Sequence, residues 1–345
     1  MRYKLLGKSG LRVSELGLGT MTFGETWGWG ASKEVSRKIF DHFVEAGGNF
    51  IDTANNYTDG TSEEFVGEFI ASQRDYFVLA TKYTLTERKD DPNAGGNHRK
   101  NMVQTVEKSL KRLNTDYIDL LWLHMWDFMT PIEEVMRALD DLVRAGKVLY
   151  VGVSDTPAWV ISRANTIAEL RGWSPFVAVQ LPYSLGGRTP ERELLPMAKS
   201  LDLAVTPWGL LNGGALTGKY NNPNGSEPKR YEEAGPKTQA LADAVMKLAD
   251  EIGRTPSQVA INWVRQQQQR SNIIPLLGAR TEAQIKDNLG CLEFELTPAQ
   301  LETLSEASPL EVGFPYSFLT GDHVRGLIFG ETFALTDNHR GNPVT

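Results

Sequence analysis

The chain has 345 residues, of which 41% are apolar, and this is enough to build one large domain around a full hydrophobic core. Its 43 acidic residues against 36 Lys and Arg give a net charge of -7, which argues against a surface that binds nucleic acid. The single cysteine, Cys291, excludes an internal disulfide, and the chain begins with no apolar stretch suited to a signal peptide or membrane span. We therefore expect a cytoplasmic protein with neither a membrane nor a nucleic-acid partner.

The predicted elements begin with a β-hairpin over residues 3–13, because two short apolar runs flank Ser9-Gly10. Eight apolar, β-rich runs follow, at residues 16–18, 49–51, 77–79, 118–121, 148–151, 176–179, 203–205 and 272–274. Segments with helical periodicity lie between most of these runs. Two of the helical stripes consist of Met102, Val103, Val106, Leu110 and Leu113, and of Ile132, Val135, Met136, Leu139, Leu142 and Val143.

Continuous apolar strands that alternate with helices are typical of parallel strands covered on both faces. Eight such strands are the number that a closed barrel requires. We therefore predict an α/β fold, a (β/α)8 TIM barrel, formed by residues 1–345 as one domain. The hairpin would plug one mouth of the barrel, and a C-terminal tail would pack on its outside.

Two segments fall outside the regular alternation. The stretch 219–236, rich in Gly, Pro and Asn, lengthens the last unit and is either a lid over a site or a disordered surface loop. After Leu304 the pattern fades into a tail that contains Phe314, Tyr316, Phe318, Phe329 and Phe333. We expect these aromatic residues to pack on the barrel, with the lining of a substrate mouth as the alternative.

Four residues that can hold or transfer a proton lie at or just past the ends of the second to fourth runs. These are Asp52, with Tyr57 five residues later, and then Lys82 and His124. The carboxyl ends of parallel barrel strands share one face, so the four side chains can meet there. Each alone has an ordinary explanation, as a turn cap, a loop aromatic, a solvated charge or a core histidine. Together they predict a catalytic site.

The string Asp52-Thr53-Ala54-Asn55-Asn56-Tyr57, followed by Gly60, Ser62-Glu63, Lys82 and His124, resembles the aldo-keto reductase superfamily. The resemblance continues through Gly17-Leu18-Gly19-Thr20-Met21, Gly152-Val153-Ser154, Pro207-Trp208-Gly209-Leu210-Leu211 and Gly278-Ala279-Arg280. It therefore spans nearly the whole chain, and the order and spacing of the strings carry it. It implies a barrel enzyme that reduces aldehydes or ketones to alcohols, or catalyses the reverse reaction, with NADPH or NADP+.

The resemblance also implies a role for each of the four strand-end residues. Delivery of hydride to a carbonyl carbon puts negative charge on oxygen, so Tyr57 would supply a proton there. A free phenol has a pKa of about 10, and we expect the Lys82 cation to lower the pKa of Tyr57 by about 1 to 3 units. Asp52 would keep the ammonium group charged and aimed, and His124 would orient the carbonyl or relay a proton.

None of these side chains can store a hydride, so a nicotinamide cofactor is implied. Gly17-Leu18-Gly19 lacks the third glycine of the doubly wound fingerprint, and the cofactor would bind without that fold. In the family, the aromatic matching Trp208 stacks on the nicotinamide, and residues matching Ser154 and Gln180 hold its carboxamide. The other implied cofactor positions are Gly19, Thr20 and Met21 near the ribose, together with Asp52, Asp155, Gly209, Leu210, Leu211 and Gly213.

Two positions depart from the pattern of the family. Many relatives carry Asn where Asp155 stands, so this chain places a carboxylate near the expected carboxamide. Many carry Ser-Pro where Gly209-Leu210 stands, and the hydroxyl that would face the pyrophosphate is missing here. The local geometry around the cofactor is therefore expected to differ from that of those relatives.

The segment from Gly278 to Asn288 looks like the site that this family uses for the adenosine 2′-phosphate. A glycine turn that leads into a helix offers free amides to an anion, and Arg280 adds a planar fork. This favours NADPH over NADH. Thr281 and Gln284 can also form a capping box, which serves the helix without a ligand. The positions implied here are Gly278, Arg280, Gln284 and Asn288, with Lys219 and Arg230 of the long loop as clasps on the phosphates.

The sequence indicates least about which residues contact the substrate. Trp27, Trp29 and Trp126 either wall a bulky apolar pocket, with Met125 and Phe128, or serve plain packing. A pocket of that kind favours a large or aromatic carbonyl compound or alcohol over a small sugar.

Two other functions stay open at this point. One is a cofactor-binding regulatory subunit with little or no turnover, since the family includes ion-channel accessory subunits. The other is a hydrolase that pairs Asp52 with Asp155. The sequence contains no metal-binding motif, and it leaves a homo-oligomer open.

Overall fold

A computed structural model describes residues 1–221, 235–337 and 339, and its centre is a ring of parallel strands. After the hairpin of β1 (Tyr3–Leu5) and β2 (Arg12–Ser14), the strands are β3 (Gly17–Gly19), β4 (Phe50–Asp52), β5 (Val78–Tyr83), β6 (Ile118–Leu123), β7 (Val148–Ser154), β8 (Phe176–Pro182), β9 (Ala204–Trp208), β10 (Asn272–Ile273) and β11 (Leu276–Leu277). From β3 to β10 each strand pairs in parallel with the next one along the chain. The predicted barrel is confirmed, and each of the eight apolar runs contains strand residues.

The eighth strand is split between both edges of the sheet, and this closes the ring. β10 pairs with β9, whereas β11 pairs with β3. Pro275 between them cannot donate a backbone hydrogen bond, but its carbonyl accepts one from Gly17 N at 2.9 Å. On the other side, Ile274 N donates to Val205 O at 2.8 Å. One short segment thus bonds to both neighbours.

Helices alternate with the strands and cover the outside of the ring. They are α1 (Lys33–Glu45), α2 (Thr61–Ile70), α3 (Arg99–Arg112), α4 (Ile132–Arg144), α5 (Ala158–Arg171), α6 (Leu194–Ser200), α7 (Pro236–Ile252), α8 (Pro256–Arg265), α9 (Glu282–Leu289) and α10 (Pro298–Glu306). The stripe predicted for α4 is buried from Ile132 to Leu142. The stripe predicted for α3 was wrong at Val103, which is exposed because it lies about 100° around the helix from Met102.

The hairpin lies at the amino-terminal ends of the barrel strands. Leu6 and Val13 belong to the cluster inside the barrel, with Phe50, Val78, Trp122, Ala204 and other residues. Lys4 Nζ donates to Ile273 O at 2.7 Å, which ties the hairpin to the eighth strand. Inside the same cluster, a Cβ at Gly152 would lie 2.5 Å from the Trp122 ring, so the ring requires glycine there. This end of the barrel is therefore filled, and the opposite end is available for a site.

The last unit carries the predicted insertion, because α7 and α8 both lie between β9 and β10. Most of the proposed lid, residues 219–236, lies outside the described residues, so that function stays a prediction. Two short helices follow α10, namely α11 (Tyr316–Leu319) and α12 (Asp322–Phe329). Tyr316 Oη donates to Glu193 Oε2 at 3.2 Å, which ties the tail to the barrel. Contrary to the expected packing, Phe314 is 83% exposed, and Phe318, Phe329 and Phe333 are exposed as well.

Within these described ranges, the helices are too short or too polar for any of them to cross a bilayer.

Candidate active site

The four strand-end residues meet at the carboxyl-terminal face of the barrel. Asp52 ends β4, Lys82 lies near the end of β5, and His124 follows β6 directly. Tyr57 begins a short 3-10 helix, Tyr57–Gly60, in the loop after β4. The Lys82 ammonium group lies 4.8 Å from the centre of the Tyr57 ring, and the Tyr57 and His124 rings are 6.0 Å apart.

Lys82 is fully buried and is held by two oxygen atoms. Its Nζ donates to Asp52 Oδ2 at 2.5 Å and to Thr53 O at 2.7 Å. Burial alone would lower the pKa of Lys82, but the charge of Asp52 and the neighbouring Tyr57 outweigh burial and raise the pKa. The ammonium group therefore stays charged, as a positive charge held next to a phenol.

Tyr57 differs from the expectation for its acidity. Burial raises the pKa of the phenol, and the opposing effect of the Lys82 charge does not cancel it. The negative charges of Asp52 and Asp155 raise the pKa further. Lys82 lowers the pKa of Tyr57 as predicted, but burial outweighs this effect, so the expected net lowering is wrong. The phenol remains protonated at neutral pH and can act as a proton donor.

His124 is neutral at physiological pH. Burial first, and then the Lys82 charge, lower its pKa to about 3. Its Nδ1 is buried and has no hydrogen-bond partner among the residues that the structure describes. A neutral imidazole carries one N–H donor and one acceptor, so His124 can hydrogen-bond to a ligand without bringing in a charge.

A buried ion network that sequence reasoning missed connects the Tyr57 loop to β5. Glu63 is fully buried on α2; its Oε1 accepts from Thr81 Oγ1 at 2.6 Å and its Oε2 from Arg112 Nε at 2.6 Å. Arg112 also donates to Glu87 Oε1 at 2.9 Å, and Asn55 Nδ2 donates to the same oxygen at 3.3 Å. Thr81 directly precedes Lys82, and Asn55 lies three residues after Asp52. The network therefore holds the backbone near both members of the ion pair. In the sequence, Glu63 looks like an ordinary acidic residue of a first helical turn.

Gln180 extends the cluster to β8. Its Nε2 donates to Asp52 Oδ1 at 3.0 Å, and that bond does not use Oε1. Ser154, which ends the neighbouring strand β7, is buried and lies directly beside Gln180 in the sheet. The two residues that sequence reasoning expected at a carboxamide are therefore adjacent and joined to the tetrad.

Trp208 and Asp155 form the next part of the face. Trp208 ends β9 and is 41% exposed, and it lies close enough to Asp155 to lower the pKa of that carboxyl group. Asp155 follows β7 with a φ of +40°. Burial raises the pKa of Asp155 to about 6, against the lowering effect of the Lys82 charge.

The three positions expected near the ribose differ in their exposure to solvent. Thr20 is buried, and its hydroxyl donates to Asp52 O at 3.0 Å and contacts Ser62 Oγ at 2.8 Å. Its side chain is thus used to hold the β4 end. Gly19 and Met21 on either side are partly exposed.

The loop after Trp208 winds tightly at glycine residues. Gly209 and Gly213 have φ of +73° and +64°, and Leu210 is buried while Leu211 is partly exposed. A Cβ at Gly214 would lie 2.7 Å from Lys219 Nζ, so the lysine packs closely over this loop. Arg230, the other expected clasp, lies outside the described residues.

At the start of α9, Thr281 and Gln284 form hydrogen bonds within the turn, whereas the Arg280 side chain does not. Thr281 Oγ1 accepts from Gln284 N at 3.2 Å, and Gln284 Oε1 accepts from Arg280 N at 2.8 Å. The Gln284 side chain thus accepts from the backbone N–H of Arg280, whereas a capping box would have it accept from the backbone N–H of Thr281. Asn288 Nδ2 donates to Gly278 O at 3.2 Å. Among the described residues, the Arg280 guanidinium takes part in no hydrogen bond or ion pair, which leaves it available to an anion.

Aromatic and apolar side chains surround this face. Trp27 and Trp29 pack in a tilted arrangement with ring centres 5.6 Å apart. Trp126 packs against the core, and its backbone N donates to Asp155 O at 3.4 Å. A cavity of about 340 Å³ is lined by Phe128, Asp155, Thr156, Pro157, Val179, Gln180, Leu181, Pro182 and Leu194.

These observations fit a nicotinamide cofactor at the barrel mouth. The exposed Trp208 indole offers a surface for a planar ring, and the Gln180 and Ser154 side chains can meet an amide. The buried His124 Nδ1 has no partner within the described part of the chain. The unpaired Arg280 provides a charge for a phosphate at the start of α9.

The chain is similar to known proteins over most of its length. The profile of the Aldo/keto reductase family matches residues 15–309. A putative aryl-alcohol dehydrogenase of Saccharomyces cerevisiae is 40% identical over 341 residues, which cover 93% of this chain and 90% of that protein. The norsolorinic acid reductase of Emericella nidulans is 40% identical over 324 residues, covering 90% and 82%. An NADP(+) aryl-alcohol dehydrogenase of Phanerodontia chrysosporium is 38% identical over 342 residues, covering 91% and 87%.

Proposed function

This chain belongs to the aldo/keto reductase family, and we propose that it is an NADP-dependent oxidoreductase that acts on bulky aromatic carbonyl compounds and the matching alcohols. As a member of the family it is an oxidoreductase that interconverts carbonyl compounds and alcohols. The observation that carries the proposed proton chemistry is the buried Lys82, which contacts Asp52 at 2.5 Å and lies beside Tyr57.

The proposed chemistry divides between cofactor and protein. NADPH, when bound, supplies the hydride that these side chains cannot store. The protein places a proton on the carbonyl oxygen as negative charge develops there. Tyr57 is the proposed donor, because its phenol is protonated at neutral pH and its ring lies 4.8 Å from the Lys82 ammonium group. Lys82 stabilises the phenolate that remains, and Asp52 holds the ammonium group in position. In alcohol oxidation Tyr57 acts as the base.

His124 is proposed to orient the carbonyl group. A pKa of about 3 supports a neutral imidazole that donates an N–H to the substrate oxygen. The same low pKa opposes proton relay through His124, which would have to carry a positive charge in a buried position beside Lys82.

We assign NADPH over NADH because of Arg280. Its guanidinium is unpaired within the described residues and lies at the start of α9, where the helix dipole favours an anion. Lys219 and Arg230 are proposed as further contacts to the cofactor phosphates, and Gly19, Met21, Ser154, Gln180 and Trp208 as contacts to its nicotinamide half. The name of one relative specifies NADP(+), which supports the same choice.

The proposed substrate class rests on the apolar wall of the site. The Trp27–Trp29 pair and the cavity of about 340 Å³ beside Phe128 favour a flat, bulky group. The names of two relatives, aryl-alcohol dehydrogenase and norsolorinic acid reductase, support an aromatic substrate.

Replacement of Tyr57 by Phe tests the proposal. We expect kcat for aromatic aldehydes to fall by roughly 10²- to 10⁴-fold, the range for loss of general acid catalysis, with the Kd for NADPH nearly unchanged. Steady-state kinetics and calorimetric titration measure the two quantities. Unchanged turnover would refute the role of Tyr57. A wild-type protein that binds NADPH but reduces no member of a panel of aldehydes, ketones and quinones would favour the regulatory subunit.

A further inference from the structure

Lys82 faces two carboxylates, and the proposed function uses only one of them. Asp52 forms the buried ion pair with Lys82. Asp155, which follows β7, lines a cavity together with Gln180, whose Nε2 donates to Asp52 Oδ1 at 3.0 Å, and its charge acts on both Lys82 and the pKa of Tyr57. Its backbone is fixed on two sides, because Asp155 N donates to Gln180 O at 3.4 Å and Asp155 O accepts from Trp126 N at 3.4 Å. The backbone of Asp155 is therefore held in place at the carboxyl-terminal face of the barrel.

The charges around this point do not cancel when Asp155 is ionised. Lys82 contributes one positive charge, and Asp52 neutralises it at 2.5 Å. His124 is neutral because its pKa is about 3, and Tyr57 is protonated because its pKa is raised. Asp155 therefore leaves a net negative charge beside the exposed Trp208 indole. The pKa of Asp155, about 6, places the loss of this charge just below neutral pH.

An oxidised nicotinamide ring carries a positive charge, whereas the reduced ring is neutral. The inference rests on the proposed function, in which the ring lies at Trp208. We propose that Asp155 sets the preference of the site between the two redox forms of the cofactor, because its carboxylate attracts the oxidised ring and does not attract the reduced one. Asp155 is in this sense a specificity-determining residue for the redox state of the bound cofactor.

The size of the effect follows from Coulomb's law. With an effective dielectric constant of about 20, two unit charges roughly 10 Å apart change a binding constant by about tenfold or somewhat more. An Asn side chain has nearly the same shape as Asp, and its amide oxygen accepts hydrogen bonds without carrying a charge. Asn also tolerates the positive φ of +40° at this position. Asp155→Asn therefore removes the charge and keeps the geometry.

The chain offers a matched control in Asp59. It also has a positive φ, +58°, and it accepts from an indole, Trp27 Nε1 at 3.3 Å. Its side chain is exposed, so solvent screens its charge. Asp59→Asn is expected to leave the preference between the redox forms unchanged.

Calorimetric titration with NADP+ and with NADPH, at about pH 5.5 and about pH 8, measures the ratio of the two Kd values. The 2′-phosphate is common to both ligands, so its own titration cancels in the ratio. In the wild type we expect the preference for NADP+ over NADPH to increase several-fold between the lower and the higher pH, as Asp155 loses its proton. In Asp155→Asn the ratio should be independent of pH, and at about pH 8 it should shift about tenfold toward NADPH.

A wild-type ratio that does not change with pH, or an Asp155→Asn ratio equal to that of the wild type, overturns the inference while leaving the proposed function intact. An equal shift in Asp59→Asn also overturns it, because the effect would then not be local. If neither cofactor binds to the wild type, the proposed function and this inference fail together. The wild-type measurement needs no variant, so it remains decisive if Asp155→Asn does not fold.

Discussion

The two ends of the proposed cofactor site handle charge in opposite ways. At the tetrad, Lys82 is fully buried and already paired with Asp52 at 2.5 Å before any ligand arrives. At the start of α9, Arg280 is partly exposed and has no ion pair within the described residues. The first charge needs its protein partner in order to stay ionised in a buried place. The second charge is solvated, and it loses only water when an anion binds.

This contrast separates what stabilises the fold from what binds a ligand. A buried charge left without its partner is costly, so the tetrad should be sensitive in stability as well as in activity. An exposed cation contributes little to stability, so Arg280 should matter mainly for affinity. Variants at the two ends test this distinction.

Lys82→Met should have the largest effect. It leaves the Asp52 carboxylate buried without its cation, and we expect the free energy of unfolding to fall by about 3–5 kcal/mol. Activity should also fall by roughly 10²- to 10⁴-fold, since the phenolate of Tyr57 loses its stabilising charge. Denaturant titration and steady-state kinetics measure the two losses.

The double variant Asp52→Asn, Lys82→Met serves as the control, because it removes both charges. It should recover part of the lost stability and none of the activity. A loss below about 1 kcal/mol in the single variant would show that water or a rearranged side chain replaces the cation.

The pH dependence should show the next largest effect. Burial raises the pKa of Tyr57, so the phenolate needed to oxidise an alcohol is scarce at neutral pH and increases about tenfold per pH unit. We expect kcat/KM for alcohol oxidation to rise steadily with pH up to at least about pH 9.5, whereas carbonyl reduction keeps its protonated donor throughout. Initial rates in both directions across this range provide the measurement. A plateau in oxidation below about pH 8 would indicate a lowered Tyr57 pKa instead.

Arg280→Ala should reduce affinity without loss of stability. We expect NADPH binding to weaken by roughly 10- to 100-fold, as for the loss of a hydrogen bond to a charged group, and NADH binding to change little. The midpoint of unfolding should stay nearly the same. Lys286→Ala, on the same helix, is a matched control because Lys286 is paired with Glu282. Equal losses for the two cofactors would contradict a contact between Arg280 and the 2′-phosphate.

Thr281→Ala should have the smallest effect. The Thr281 hydroxyl caps α9 by accepting from Gln284 N, and its removal should cost about 1 kcal/mol of stability. The affinity for NADPH should then change less than in Arg280→Ala. A larger loss of affinity than in Arg280→Ala would mean that the turn itself, and not the guanidinium, holds the anion.

The barrel could be predicted because its signals are local. Runs such as Phe50-Ile51 and Ile118–Leu121 are apolar on both faces, and the segments between them have helical periodicity. Asp52, Lys82 and His124 could be placed together for the same reason, since a strand end fixes a residue on one face of the ring. Val103 was wrongly placed in the buried stripe of α3, because two adjacent apolar residues do not show which of them faces the barrel.

Other features depend on contacts between distant segments. The raised pKa of Tyr57 results from burial, which no local pattern reveals. The inward turn of Thr20 depends on Ser62 and on the Asp52 carbonyl, and the role of Glu63 depends on Arg112 from another helix. Gln284 shows a subtler limit, since the capping pattern was read from the sequence but its side chain bonds to Arg280 N.

The split eighth strand has a consequence for motion within the barrel. The ring is joined there by only two residue pairs on each side, Asn272 and Ile273 to β9, and Leu276 and Leu277 to β3. Together with the β3–β4 junction, which also has two residue pairs, this seam is where amide hydrogens of the barrel strands are expected to exchange early with solvent. Trp208 ends the strand on one side of this seam, and Gly278–Arg280 continue directly from the seam itself. A dinucleotide that contacted both positions would hold the two sides of the seam together. Hydrogen exchange at the Ile274 and Gly17 amides would therefore slow when the cofactor binds.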